Sequence, residues 1–508
     1  MCVNFSKMDK IFLAYISIFF VLSAFFSSFS SLMPDEGTHL LLSIFYKDMI
    51  THIVSTGDFS FNGAYSYAIN YLVHYPKLQI AYPPLYHLTN ALFFSIIGPS
   101  ALVGKLVNLA YAVLAFTIFY FFVRKYFGEK PAFMAALLFS LSRFSLFYSS
   151  KAWLDYTFIF WFIAALYLFS KAMETKRPYD FAICGFATGL ALLGRQIGGF
   201  LLVFYLMVII WSKENIRIKT RNVLIIAATF ALIVTPYIVI LNAAGGIEIN
   251  ITVAKFYAVV NGEPTSYLDP MFWLYYLVYT ATAAPFFPIF LLGLIYYSWK
   301  RQKLFKELLM FFLVMYIFIS LVPTKEFRFS EVFMLPAYVA VSVLLCSIQR
   351  KAIPMAFVAS YFVVSIFFLL PTILYYPAED IANKMVPNMP ARSSIAMLSD
   401  DSPLFSSVLM WHVRMADTNM EHNVYRPCAF SNMSAEEIRT IFRENGVYYV
   451  VYSNWSTHHE IELIKDELEP AFSVEKDGKK TDVYLYKNFV PQTKNCNYVC
   501  LTQKQVCS

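Results

Sequence analysis

KIFLAYISIFFVLSAFFSSFSSLMPDE, residues 10–36, is an apolar run that ends on two adjacent carboxylates. No charged residue lies between Ile11 and Met33. A helix of that length crosses about 30 Å of hydrocarbon. The run is too long for a signal-peptide core and shows no clear small-residue cleavage site, so it reads as a retained first span. Asp35 and Glu36 are thereby delivered to the membrane surface.

Working outward, the same pattern recurs. The chain has 508 residues, 58% hydrophobic and only 14% charged. A soluble domain carries about 25% charged residues. The class is integral membrane, mainly α, a polytopic helical domain with about eleven spans. They are expected near 11–33, 101–123, 131–150, 156–173, 179–194, 196–212, 222–242, 271–298, 307–322, 330–349 and 353–376. Phe (51) and Tyr (36) are abundant, which suits lipid-facing and interfacial positions. The net charge of +7 forms no nucleic-acid patch.

The first external loop, 34–100, is long and is expected to hold interfacial helices; Pro84 to Gly98 is apolar but short, and is read as an interfacial or re-entrant helix within it. With that helix not crossing, the Lys/Arg clusters at 124–130, 171–177, 213–221 and 300–306 fall on the side of the N-terminus. The positive-inside rule makes that side cytoplasmic. The segment after 377 is then extracytoplasmic, in a plasma-membrane protein. The domains are 1–376, membrane-embedded, and 377–508, a small external α/β domain.

That tail is richer in charge. Ser434 and Glu437 form a capping box for a helix ending at Gly446, and "VYYVVYSN" (447–454) and "DVYLYKNF" (482–489) read as strands. Sequons at Asn250, Asn432 and Asn454 fall in segments expected outside. Cys428, Cys496, Cys500 and Cys507 share that location, which permits disulfides, and no cysteine spacing gives a zinc pattern.

Ionisable residues at span ends cost energy near hydrocarbon and need a reason. Asp35, Glu36, Asp155, Arg195, Lys325, Glu326 and Arg328 all fall on one face of the expected topology, which suggests a polar cavity. Each has a plainer reading. Asp155 suits a helix N-cap for "DYTFIFW" as well as a functional role. Arg195 and Lys325 suit snorkelling to headgroups. Arg328 suits a pair with Glu326 or Glu331. His39, His52, His74 and His87 form no His-x-x-x-His zinc pair and read as structural. No Ser/His/Asp triad, phosphate loop or nucleotide fingerprint is present. A carboxylate on such a rim can act as general base, a second can bind a metal or an acceptor, and Arg or Lys can hold a phosphate. Without a nucleotide motif, a lipid phosphate is the expected leaving group.

The residues resemble a family. "MPDEGTHLLLSIFY" (33–46) resembles the segment after the first span of C-type, polyprenyl-phosphate-sugar-dependent glycosyltransferases. The branch is that of the protein O-mannosyltransferases and lipid A aminoarabinose transferases. "AYPPLYHLTNALFFSIIG" (81–98) is similar to that branch's Pro-Pro-Leu helix, and "SRFSLFYSSKAWLDYTFIFW" (142–161) to the segment with its second acidic residue. "GLALLGRQIGGFLL" (189–202) resembles a Gly-x-x-x-Leu-Thr-Lys stretch, with Arg195 in place of Lys, and "PTKEFRFSEVFMLPAYVAV" (323–341) the late Lys-x-x-Arg-Tyr segment, with Phe329 in place of Tyr. "ENGVYYVVYSN" (444–454) is similar to the tails that close such chains. Ala81-Tyr82-Pro83 departs from the Glu-Lys-Pro of aminoarabinose relatives, which speaks against that donor sugar. The stretch 243–270 contains no His, so a metal site built on one there is not supported.

The resemblance implies transfer of a sugar from a dolichyl or undecaprenyl phosphate to a protein, lipid or glycan acceptor at the external face, with inversion. It implies Asp35 and Asp155 as catalytic residues. Glu36, Tyr82, Arg195, Lys325 and Arg328 are implied to bind substrate, and a divalent metal, if one is used, would sit on Asp35 and Asp155. A transporter or lipid-carrier flippase is the alternative; it calls for midplane charges and internal repeats, and neither is seen. A non-catalytic scaffold would leave the charged rim without a purpose.

Overall fold

The computed structural model describes residues 6–30, 32–75, 82–243, 266–283, 286–300, 303–322, 325–367, 378–398, 402–417, 419–425, 433–453, 460–476, 479–491, 496–499 and 504–507. The sequons Asn250, Asn432 and Asn454, and Cys428 and Cys500, lie outside them, as does most of 243–270.

In chain order the helices are α1 (Lys7–Phe29), α2 (Pro34–Thr56), α3 (Phe61–His74), α4 (Leu85–Ile97), α5 (Ala101–Phe127), α6 (Glu129–Ser140), α7 (Arg143–Tyr148), α8 (Asp155–Thr175), α9 (Pro178–Gly194), α10 (Leu201–Trp211), α11 (Ile216–Ala243), α12 (Pro270–Ala283), α13 (Phe287–Trp299), α14 (Lys303–Ser320), α15 (Ser330–Ser347), α16 (Ala352–Phe367), α17 (Ala378–Met385), α18 (Ser402–Ala416) and α19 (Ala435–Glu444). The strands are β1 (Ser394–Met397), β2 (Asn423–Tyr425), β3 (Val447–Ser453), β4 (Leu468–Lys476), β5 (Lys479–Tyr486), β6 (Cys496–Val499) and β7 (Lys504–Cys507).

Among the described residues, five helices are long and apolar enough to cross a membrane: Lys7–Phe29, Ala101–Phe127, Asp155–Thr175, Ile216–Asn242 and Ser330–Ser347. Several others are apolar but shorter, among them Leu85–Ile97, as the reading of 84–98 expects. Two expected spans are divided. The run 131–150 is α6 and α7, because Ser142 leaves the helix and its hydroxyl caps the next one, accepting from the Ser145 N–H at 3.0 Å. The run 271–298 is α12 and α13, the second opening with Pro288 in its first turn, where a missing N–H costs nothing. The outward face of α1 is apolar, with Val21, Phe25, Phe26 and Phe29 each more than half exposed. Such a face suits lipid and not water.

The chain forms two compact units. The first comprises Met1–Phe29, Ala81–Tyr86 and Lys105–Ile373. Its core is aromatic-rich. Phe116 meets Phe139 and Tyr156 edge to face, and Phe290 packs on Tyr338. Glu331, in the first turn of α15, is buried there and accepts from the Ser142 and Tyr338 hydroxyls, each at 3.1 Å. Its place in the helix turns it from Arg328 to these hydroxyls.

The second unit comprises Ser30–Ile80, His87–Gly104 and Leu374–Ser508. Its sheet has the order β2-β1-β3-β5-β4, with β1 parallel to β2 and β3, and β5 antiparallel to β3 and β4. α18 and α19 make the crossovers. The expected capping box is present, Ser434 N–H donating to Glu437 at 2.7 Å, and Gly446 turns the chain out of α19 at φ +59°. Helix α18 also packs against α2. A Cβ on Gly37 would lie 2.7 Å from the Ser407 backbone, so only glycine admits this approach. Farther along, Arg414 donates to Asp48 at 2.7 Å and to the Tyr71 hydroxyl at 3.2 Å.

Candidate functional site

In the first unit the site begins with a loop. Asn108 of α5, fully buried, donates to the carbonyls of Tyr148 at 2.7 Å and Lys151 at 2.8 Å. Its two bonds fix the segment between α7 and α8, where the Tyr148 and Trp153 rings pack with centroids 4.7 Å apart. Asp155 follows. The N-cap of α8 is Leu154, without a side-chain cap, and Asp155 is the first helical residue. Its carboxylate is therefore not spent on capping.

Arg195 reaches Asp155 from the end of α9. A Cβ on Gly194 would lie 2.8 Å from the Phe158 Cα, so glycine brings the end of α9 against the first turn of α8. Arg195 then leaves the helix in an extended conformation and forms an ion pair with Asp155 Oδ1. Its guanidinium lies over the Phe329 ring at 4.4 Å. Arg328, in the 3-10 turn Phe327–Phe329, approaches from the other side. Its Nη1 is 3.8 Å from Asp155 Oδ2, its Nε is paired with Glu326, and its guanidinium is 5.3 Å from the Trp153 ring. Glu326 Oε2 also lies 4.0 Å from Arg195 Nη2.

Two guanidiniums and two carboxylates thus alternate. Asp155 is nearly fully buried, the arginine side chains are 10–12% exposed, and Glu326 is 31% exposed. Burial pushes the Glu326 carboxyl up, but Arg328 and then Arg195 outweigh it and hold it below its ordinary range. Among the described residues, Asp155 Oδ2 receives no hydrogen bond. Planar guanidiniums stacked on rings are already fixed in orientation, which suits them to a phosphate.

The other candidates are distributed as follows. Tyr82 packs on the Tyr86, Val107 and Leu154 cluster, one residue from Asp155. Lys325 is buried, with its ammonium 3.6 Å from the Phe272 ring centroid and donating to the Ser320 carbonyl. Asp35 and Glu36 belong to the second unit. Asp35 is half-buried in the first turn of α2, where the helix N-terminus favours negative charge. Glu36 is buried and accepts from the Met33 N–H at 2.7 Å, so its carboxylate caps α2. The imidazoles of His39 and His87 in this unit are 3.1 Å apart.

A divalent metal does not suit Asp155, which is flanked by two guanidiniums. Among the described residues no group of three His, Cys, Asp or Glu converges to hold a metal ion. The sequence did not single out Asn108 or Trp153, and it set Glu326 on the charged rim without giving it a role in the site. Glu326 alone carried a signal, an acid set between Lys325 and Arg328.

Residues 81–240 match the family model described as dolichyl-phosphate-mannose-protein mannosyltransferase. An uncharacterised protein of Aquifex aeolicus (strain VF5) is 23% identical over 324 residues, a match spanning 61% of this chain and 58% of that protein. Among solved structures, ArnT from Cupriavidus metallidurans bound to undecaprenyl phosphate aligns with a TM-score of 0.62 and 13% identity. The alignment covers 93% of this chain and 97% of that one. The archaeal oligosaccharyltransferase AglB from Archaeoglobus fulgidus, in complex with an inhibitory peptide and a dolichol-phosphate, aligns with a TM-score of 0.53 and 13% identity, covering 96% and 75%. The resemblance read from the sequence is borne out: the chain has the fold of the C-type, polyprenyl-phosphate-dependent membrane glycosyltransferases.

Proposed function

We propose that this protein transfers a sugar from a polyprenyl phosphate to an acceptor at the extracytoplasmic face of the membrane. The observation that carries the reading is the Asp155 cluster. Arg195 and Arg328 flank one buried carboxylate at the ends of apolar helices, in a fold shared with a protein solved with undecaprenyl phosphate.

The chemistry follows from charge. In the donor the sugar C1 is bonded to a phosphodiester oxygen. The acceptor oxygen or nitrogen forms a bond to C1 and gives up its proton, and the C1–O bond breaks with its electron pair staying on the carrier phosphate. Asp35 is proposed as the base that takes the proton. Arg195 and Arg328 bind the phosphate and stabilise the charge it gains. Asp155 holds both guanidiniums in place. Lys325 adds positive charge nearby, Tyr82 packs beside the loop that carries Asp155, and Glu36 fixes the helix end that presents Asp35. The N-terminus is proposed as cytoplasmic, with 1–376 as the membrane domain and 377–508 as an external domain suited to acceptor contact.

The experiment is sugar transfer from a radiolabelled polyprenyl-phosphate sugar by full-length protein in proteoliposomes, with dolichyl and undecaprenyl carriers compared. Transfer by the wild type and its loss in Asp35→Ala are expected. Full activity in Asp35→Ala would remove Asp35 from the mechanism, and no transfer from any such donor would remove the reaction.

A further inference from the structure

One oxygen of Glu326 faces both guanidiniums of the site. Oε2 is paired with Arg328 Nε and lies 4.0 Å from Arg195 Nη2. Both arginines also face Asp155, so the four groups sum to zero charge. The two carboxylates are not equivalent. Asp155 is 2% exposed and sits on the first turn of a long helix, whereas Glu326 is 31% exposed and sits just before a short 3-10 turn. Of the two, only Glu326 has solvent to move into.

We propose that Glu326 is a placeholder for the carrier phosphate: its carboxylate occupies the guanidinium pair in the empty protein and is displaced when the polyprenyl phosphate binds. The proposal rests on the glycosyl-transfer reading above. A carboxylate and a phosphate offer the guanidinium fork the same kind of acceptor oxygens, so they compete for the same donors. With Glu326 swung outward, Arg195, Arg328 and Asp155 leave a net charge of +1, to which Lys325 adds, and this excess favours an anionic phosphodiester donor. After transfer the carrier is a monoester with more negative charge, and the return of Glu326 opposes its retention. A guanidinium pair without such a competitor would hold the spent carrier and be inhibited by its own product. Glu326 is therefore a positioning residue that sets donor affinity and product release.

The test is titration of full-length protein in lipid nanodiscs with undecaprenyl phosphate, comparing wild type, Glu326→Gln and Glu326→Ala. Loss of the competing charge is expected to tighten binding by about fivefold or more. It is also expected to lower the donor KM while making inhibition by free undecaprenyl phosphate stronger. Either variant that folds, judged by thermal unfolding, decides the matter. Equal or weaker binding overturns the placeholder role and leaves the glycosyl-transfer reading standing. Failure of both variants to fold makes Glu326 a structural brace and also overturns it. A wild type that binds no polyprenyl phosphate overturns the underlying reading itself.

Discussion

Gly194 lies so close to Phe158 that a methyl group there would come within 2.8 Å of the Phe158 Cα. The contact joins the last residue of α9 to the first turn of α8. It places the next residue, Arg195, against Asp155, three positions before Phe158. The charged pair is thus set by a backbone contact made on the residue beside it.

A larger side chain at 194 forces the two helices apart. Gly194→Val is expected to lower sugar transfer at least tenfold, because misplacing a binding group by about 1 Å costs that much. Gly194→Ala is expected to have a smaller effect. Transfer assays paired with thermal unfolding separate a displaced Arg195 from a lost fold. Full activity in a folded Gly194→Val would show that the contact does not position the arginine.

Asp155 and Arg195 form a buried pair, so removing one partner strands the other. Each of Asp155→Asn and Arg195→Gln is expected to cost about 3–5 kcal/mol of stability. The double variant is expected to cost less than the two together, with a coupling of about 1–3 kcal/mol. Arg195→Lys keeps the charge and loses the plane stacked on Phe329, so it is expected to keep more activity than Arg195→Gln. A double-variant cycle read by thermal unfolding tests the pair. Simple additivity would show that the two side chains are energetically independent.

Asn108 holds two carbonyls of the loop that leads to Asp155. Asn108→Leu removes one donor from each, leaving the Lys151 N–H on the Tyr148 carbonyl and the Trp153 N–H on the Lys151 carbonyl, at about 0.5–1.5 kcal/mol each. The expected signature is a raised donor KM together with a lower melting temperature, because the loop also carries Trp153 beneath Arg328. An unchanged KM would place the effect of Asn108 on the core alone.

Some of this could be read from the chain and some could not. Asp155 and Arg195 stand where apolar runs begin and end, and charge at such borders is visible in one dimension. Asn108 sits within an apolar helix, and its partners, 40 and 43 residues away, come near only when α5 packs on the α7–α8 loop. Trp153 looks like any interfacial aromatic until Arg328 lies over it. Interfacial helices are expected in the first external loop, but the bounds of α2 are not legible because Asp35, Glu36, Lys47 and Asp48 break its apolar pattern. Those polar residues belong to a helix that packs in the second unit, where Asp48 meets Arg414. The division of 131–150 at Ser142 was masked by its overall apolarity, which registers length and not caps.

The second unit offers a test by pH. Burial lowers the His412 pKa to about 4, and the attraction of Asp380 opposes this only in part. The unfolded chain protonates this imidazole near its ordinary value of about 6.5. Between those values the unfolded state binds a proton that the folded state refuses. The contribution of His412 to stability is therefore unchanged above about pH 7, falls as pH drops through 6.5, and levels off below about 4. The full loss is of the order of 2–4 kcal/mol, from the size of the shift. Trp411, the preceding residue, is buried in the same helix and supplies a fluorescence signal for its unfolding. Denaturant midpoints read at several pH values are expected to fall less steeply for His412→Gln than for the wild type. Parallel curves would assign the acid sensitivity of this unit to its carboxylates and not to His412.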